Sequence, residues 1–194
     1  MNNFLGEYDS MRVLAVCVGQ PKIVLWNEKE VLTSIYKAPV TGAVSVKYEN
    51  IEGDRQANLK HHGGVDKAVY AYSHDSYAWW KHKLGIESLP FGSLGENLTL
   101  DHLDEAHIFS GDVFRVGSSL LEAAQPRIPC FKLGIRLGDQ KVIRLFNEYQ
   151  RCGVYFRVKT EGVLQAGDTF KLISSHVART SIRELFLGTL KKSN

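Results

Sequence analysis

Cys130 sits in the stretch Gln125-Pro126-Arg127-Ile128-Pro129-Cys130-Phe131-Lys132-Leu133, and its neighbours make its thiol the first place to look for chemistry. Two prolines fix φ on either side of Ile128 and stiffen the segment. Pro129 suits the first position of a helix, and nothing breaks the run after it until Gly134. Cys130 is then expected in the first turn of a short helix. Unpaired N–H groups and the helix dipole favour a thiolate there, and Arg127 and Lys132 lie nearby in sequence. Such a setting builds a reactive or metal-binding sulfur. The competing reading is a small buried hydrophobe, the usual role of an unbridged cysteine.

A second group of chemistry-bearing residues runs from Gly53 to Lys67: Gly53-Asp54-Arg55-Gln56-Ala57-Asn58-Leu59-Lys60-His61-His62-Gly63-Gly64-Val65-Asp66-Lys67. It follows neither helical nor strand period and is about fifteen residues long, unusual for an idle connection in a compact domain. Gly63 and Gly64 let backbone amides approach a ligand closely. Arg55, Lys60, Lys67 and the two histidines supply donors for an anion. The alternative is a solvated surface loop. A third group, Gly95-Glu96-Asn97, sets a carboxylate and an amide beside glycine, to orient a ligand or to bond a turn.

The elements that must position these residues are mostly short strands. Met11 to Val18 is nearly all apolar and reads as a buried strand, which gives Cys17 a core role. Strands are expected at Lys22 to Trp26, Glu30 to Tyr36, Ala43 to Tyr48, Ala68 to Tyr72, Leu98 to Leu100, Ser119 to Ala124, Gly153 to Lys159 and Thr169 to Ile173. In Gly153 to Lys159 the pattern puts Val154, Phe156 and Val158 on one side and Tyr155, Arg157 and Lys159 on the other; Cys152, at its start, is given no chemistry. Gly111-Asp112-Val113-Phe114 and Gly167-Asp168-Thr169-Phe170 use the same turn chemistry twice to enter a strand. Helices are expected after Ser73 or Asp75 as far as Leu84, with Trp80 in the core and Trp79 partly exposed, and from Asp139 to Tyr149 with Asp139 as cap. Ser181-Ile182-Arg183-Glu184 is a capping box opening a last helix, too short to stand alone, that docks on the barrel or on a second subunit. Many short strands at regular spacing indicate a barrel or sandwich, with Cys130 just past a strand end.

Composition bounds the function. The 194 residues are enough for one domain with a substantial core, and 44% apolar with 23% charged residues is ordinary for a globular protein. Lys and Arg number 24 against 21 Asp and Glu, a net charge of +3. That allows an anionic small ligand and gives little support to a nucleic-acid-binding module, since no basic run is interleaved with aromatics. Three cysteines without a C-x-x-C pair argue against a disulfide framework or a closed structural zinc site, and fit a reduced, cytoplasmic setting. The first ten residues do not read as a secretory signal, and no apolar run approaches the roughly 18–20 residues that span a bilayer.

Gly53-Asp54-Arg55-Gln56-Ala57, His62-Gly63-Gly64 with Asp66-Lys67-Ala68-Val69, Gly95-Glu96-Asn97-Leu98-Thr99, Gly111-Asp112 and Gln125 to Leu133 occur in that order. Together, over roughly residues 11 to 175, they resemble the MOSC domain family, in particular its YiiM-like branch. The resemblance implies a mainly β, β+α fold: a MOSC-type β-barrel over 1–175 with a few peripheral helices, then a short C-terminal helical appendage over 176–194. It implies binding of the molybdenum cofactor, with Cys130 as the protein ligand to molybdenum, and the family also carries an association with pyridoxal phosphate binding. YiiM-like members are associated with reductive removal of hydroxyl groups from N-hydroxylated bases and related compounds. On this reading Cys130 and His62 are the catalytic candidates, His62 as a proton source or a donor to the pterin. Arg55, His62, Gly63, Gly64, Lys67, Asn97, Arg127 and Lys132 are the cofactor-binding candidates, suited to a phosphorylated pterin by their donors and charge. No flavin or nicotinamide motif is seen, so electrons are expected from a separate protein; no membrane partner is expected. The alternative for the same thiol is a sulfur carrier holding a persulfide on Cys130.

Overall fold

The computed structural model describes residues 10–58, 63–175 and 180–192. Its twelve strands are β1 (Ser10–Val18), β2 (Lys22–Trp26), β3 (Lys29–Thr33), β4 (Ala38–Val40), β5 (Val44–Val46), β6 (Val69–Ser73), β7 (Leu98–Leu100), β8 (Val113–Val116), β9 (Ser119–Pro126), β10 (Val154–Thr160), β11 (Gly162–Leu164) and β12 (Thr169–Ser174). Four helices accompany them: α1 (Ser76–Leu84), α2 (Phe131–Leu137), α3 (Lys141–Tyr149) and α4 (Ile182–Lys192).

Seven strands in the order β12-β8-β9-β10-β6-β7-β1 close into a barrel, because β1 pairs with β12 as well as with β7. Closure removes the open edges of the sheet. The length of β1 makes this possible: Ser10, Met11 and Arg12 pair with β12, Val13 to Val16 with β7, and Val16 to Val18 with the short strand β4. Only β6 and β7 run parallel, and α1 lies in the crossover that such a pair requires. Inside, Phe156 meets Phe114 and Phe170 with ring centres 5.8 and 5.3 Å apart, and Phe114 meets Phe170 at 5.0 Å.

The helices pack outside the barrel. Trp80 of α1 is fully buried and donates through Nε1 to the Tyr72 hydroxyl at 2.8 Å. Phe146 of α3 lies 6.1 Å from Trp80 and 6.1 Å from Phe186 of α4. Trp79 is half-buried, stacked at 3.8 Å on Tyr149. The capping box forms as expected: Glu184 N–H donates to Ser181 Oγ at 3.1 Å, and Ser181 N–H donates to Glu184 Oε2 at 2.8 Å. Of the two docking sites left open for α4, the structure selects the barrel. Ile182 and Phe186 are buried in the main core, and Ile182 N–H donates to the Ile108 carbonyl.

Three local expectations need correction. The strand expected over Glu30 to Tyr36 stops at Thr33, where Thr33 Oγ1 accepts the Ile35 N–H at 3.2 Å and turns the chain. The helix after Pro129 begins at Phe131, so Cys130 is its N-cap residue in extended conformation (φ −130°, ψ 166°) and not part of its first turn. That helix also runs through Gly134 and ends at Gly138 in the left-handed conformation. Gly134 sits under the Gln140 side chain, which donates to the Phe131 carbonyl at 3.1 Å. The glycine serves close packing there, not termination.

Candidate active site

Four separate stretches meet at a cleft beside the end of β9. Its wall takes Thr33 from the end of β3, Ser34, Ile35 and Lys37 from the segment after it, Asp54 and Gln56 to Asn58 from the loop after β5, and Gly95 and Asn97 from the turn before β7. Arg127, Ile128, Cys130 and Lys132 come from the stretch after β9, with Lys67, Tyr70 and Tyr155 completing it. The cleft has a cavity volume of about 90 Å³.

Cys130 is half-buried on this wall. The other two cysteines contrast with it. Cys17 is fully buried, and burial, aided by Glu96, pushes its thiol up to about 12. Burial likewise raises Cys152 well above the ordinary thiol value. Both stay protonated and walled into the core, and none of the three is in a disulfide. The stretch carrying Cys130 is braced from outside by the β2–β3 hairpin. Trp26 meets the Phe131 ring at 5.3 Å, and Lys132 Nζ donates to the Leu32 carbonyl at 2.8 Å.

Among the described residues four cationic side chains, Lys37, Lys67, Arg127 and Lys132, share the wall with one carboxylate, Asp54. Arg127 is buried, with 6% of its surface exposed. Its guanidinium donates to the Leu94 carbonyl and lies over the Tyr70 and Phe146 rings at 4.9 and 5.9 Å. Among the described residues no carboxylate forms an ion pair with it, so a permanent charge is held out of water largely by π faces. Asp54 is fully engaged: it accepts from Gly19 N–H at 2.8 Å, from Asn97 Nδ2 at 2.9 Å and from Lys37 Nζ. Burial lowers the pKa of Lys37, and Asp54 opposes that shift. Tyr70 and Tyr155, cross-strand neighbours on β6 and β10, have their hydroxyls raised by burial and remain neutral donors.

Two features fit a bulky polar ligand. Ser34 Oγ is buried on this wall with no partner among the described residues. Gly95, at φ +83°, leaves open the space where a Cβ would come within 2.9 Å of Ile35 and 3.6 Å of the Arg127 guanidinium.

Of the residues singled out in the sequence, the structure brings Cys130, Lys67, Asn97, Arg127 and Lys132 to one wall. Asn97 spends its side chain on the fold: Oδ1 accepts from Tyr70 N–H at 3.1 Å, and Nδ2 donates to Asp54 and to the Cys17 carbonyl. Lys67 ends a 3-10 turn, Val65–Lys67, pinned by the Asp66–Arg157 pair at 2.8 Å. Gly64, at φ +93°, opens that turn; Gly63 and Gly64 are not part of the wall, and neither is Arg55, which is exposed. His62 lies outside the described residues. Glu96 is fully buried, and its Oε1 accepts from Tyr77, Thr99 and the Gly92 N–H. Sequence reasoning missed Lys37, Asp54, Ser34, Tyr70 and Tyr155 as wall residues. Lys37 lies just past the strand expected over Glu30 to Tyr36, in a short connection to which no role was given. Tyr155 was placed on the side away from Phe156, and that outer face of the barrel is the one the cleft covers.

Comparison with known proteins follows the same line. The MOSC domain family matches residues 58–171, and the chain belongs to that family. It is a YiiM-like member: it is 31% identical over 154 residues to Protein YiiM of Escherichia coli (strain K12), covering 78% of this chain and 68% of that protein. It also superposes on the crystal structure of YiiM from Geobacillus stearothermophilus with TM-score 0.77 at 29% identity, over 95% of this chain and 86% of that one. A protein of Gibberella moniliformis (strain M3125 / FGSC 7600) named Reductase is 31% identical over 156 residues, 79% of this chain and 28% of its own length.

Proposed function

We propose that this chain holds a molybdenum–pterin cofactor in the cleft and reduces N-hydroxylated small molecules there. The observation that carries the reading is the half-buried Cys130 thiol, the one cysteine of three not sealed in the core, opening on a cleft with four cations and one acid. A thiolate suits a soft molybdenum–dithiolene centre. Among the described residues no cluster of three His, Cys, Asp or Glu side chains is placed to hold a bare ion, so a metal at Cys130 brings ligands of its own.

When bound, the cofactor would supply the two electrons that reduce the N–O bond. The chain does the rest. Cys130 ligates the metal. Arg127 and Lys67, with the unpartnered Ser34 hydroxyl, hold the phosphorylated pterin through charge-assisted hydrogen bonds. Gly95 leaves room beside Arg127, and the neutral Tyr155 hydroxyl donates without adding charge. Lys132, tied to the hairpin carbonyl of Leu32, fixes the rim next to the sulfur. Reducing equivalents come from a separate electron-transfer protein, a relation consistent with a relative named Reductase that is much longer than this chain.

The test is expression in cells that make the cofactor. The expected result is about one molybdenum per chain and reduction of an aryl hydroxylamine by reduced viologen, with the activity lost and molybdenum retention weakened in Cys130→Ser. A pure chain carrying extra sulfur on Cys130 and no pterin would overturn the reading in favour of a persulfide carrier.

A further inference from the structure

The reduction proposed above consumes protons as well as electrons. For a hydroxylamine the balance is R–NH–OH + 2e⁻ + 2H⁺ → R–NH₂ + H₂O: the N–O bond breaks, oxygen leaves as water and nitrogen keeps a new N–H. A hydroxyl leaves far more readily as water than as hydroxide, so an acid beside the departing oxygen lowers the barrier.

We propose that Lys37, held by Asp54, is that acid. The inference rests on the function proposed above and adds to it the residue that protonates the leaving oxygen. Lys37 lies on the cleft wall with Cys130, and its side chain is only 10% exposed. Its ammonium is oriented by Asp54, which is itself fixed by Gly19 N–H and by Asn97. The arrangement resembles an aimed donor more than a surface ion pair, since the carboxylate cannot rotate away without stranding two other donors.

Chemistry singles Lys37 out among the four cations. Arg127 does not release a proton in a protein. Lys132 is committed to the Leu32 carbonyl on the rim. Lys67 ends the Val65–Lys67 turn and comes from a separate stretch of the wall. Lys37 combines burial, which weakens its hold on the proton, with a carboxylate that favours its charged form. The other groups facing it are Cys17 of β1, a neutral thiol pushed up to about 12, and the buried Glu96. The cycle closes in atoms and electrons. The Lys37 ammonium gives one proton to the departing oxygen and is recharged from solvent, while the nitrogen takes the second proton from water. Both electrons come from a reduced flavoprotein or iron–sulfur donor, replaced in the assay by reduced viologen.

The experiment compares the cofactor-loaded wild type with Lys37→Arg and Lys37→Gln. Arginine preserves the charge and the bond to Asp54 and withholds the proton. Expected for Lys37→Arg are unchanged molybdenum content, unchanged KM for N-phenylhydroxylamine and kcat reduced about a hundredfold or more. Wild-type kcat is expected to fall as pH rises and Lys37 loses its proton, at a pH below the ordinary lysine range, and this alkaline limb is expected to vanish in Lys37→Arg. Nitrogen-15 NMR of the Lys37 ammonium provides a readout independent of activity, with a midpoint below that of the exposed lysines. An unchanged kcat and pH profile in both variants overturns the acid role while leaving the proposed function standing. So does a Lys37→Arg chain that folds but loses molybdenum, which assigns Lys37 to retaining the cofactor. A wild type with neither molybdenum nor activity overturns the proposed function itself.

Discussion

Replacing Arg127 by methionine separates the binding role of this residue from any structural one. In the ligand-free protein the change has opposing effects. The Leu94 carbonyl loses its donor, a cost of about 1–3 kcal/mol for a buried unsatisfied acceptor. The contacts over Tyr70 and Phe146, at 4.9 and 5.9 Å, are lost as well, worth about 0.5–2 kcal/mol each. Against this, a buried charge without a carboxylate partner is removed, and such burial costs several kcal/mol per ion. The terms offset, so the ligand-free stability should change by no more than about 2 kcal/mol, a shift of roughly 4–8 °C or less in Tm for a chain of this size. Anion binding has no such compensation. Charge-assisted hydrogen bonds are worth about 1.5–3 kcal/mol each, so affinity for inorganic pyrophosphate should weaken roughly 10- to 150-fold. Calorimetry measures both quantities, as a melting scan and as a pyrophosphate titration. A Tm lowered by well over about 10 °C with pyrophosphate affinity unchanged would instead make Arg127 a strut of the fold.

Gly95→Ala puts an L-residue at φ +83° and a methyl against Ile35, so a loss of about 1–2 kcal/mol is expected in urea unfolding, together with weaker cofactor retention. Phe156→Ala removes a fully buried ring from between Phe114 and Phe170 and should destabilise by about 3–5 kcal/mol; a loss under about 1 kcal/mol would contradict the packing described. Glu184 has its pKa lowered by bonds from the Ser181 N–H and hydroxyl. A depressed carboxylate contributes above its unfolded pKa and loses that contribution as pH falls through the folded one. Amide exchange at the start of α4 should therefore accelerate as pH drops from about 5 towards 3, after correction for intrinsic rates, and no acceleration would contradict the capping box.

Much of the fold was legible because local patterns and tertiary demands agree. The alternation of Val154, Phe156 and Val158 finds its counterpart in a buried barrel face, and Ser181 with Glu184 caps a helix as written. The short strands β4 and β11, three residues each, carry too little pattern to be read, and β4 contains Pro39. The candidate site was legible only along its continuous stretch. Two prolines advertise the stiffness around Cys130, whereas Lys37, Asp54 and Tyr155 join it on one wall only when the barrel closes. Asn97 was found for the right location, yet its amide is used to fasten Tyr70, Cys17 and Asp54. Gly63 and Gly64 show the converse: a glycine pair suggests backbone approach to a ligand, and in the folded chain Gly64 supplies the positive φ that opens a 3-10 turn.

The central claim is a bond between the Cys130 sulfur and molybdenum. X-ray absorption at the molybdenum edge, on wild type and on Cys130→Ser prepared in cofactor-competent cells, tests it most directly. The metal of the wild type should have one more sulfur neighbour than metal retained by the variant. An identical sulfur shell at equal metal loading in both proteins would contradict it.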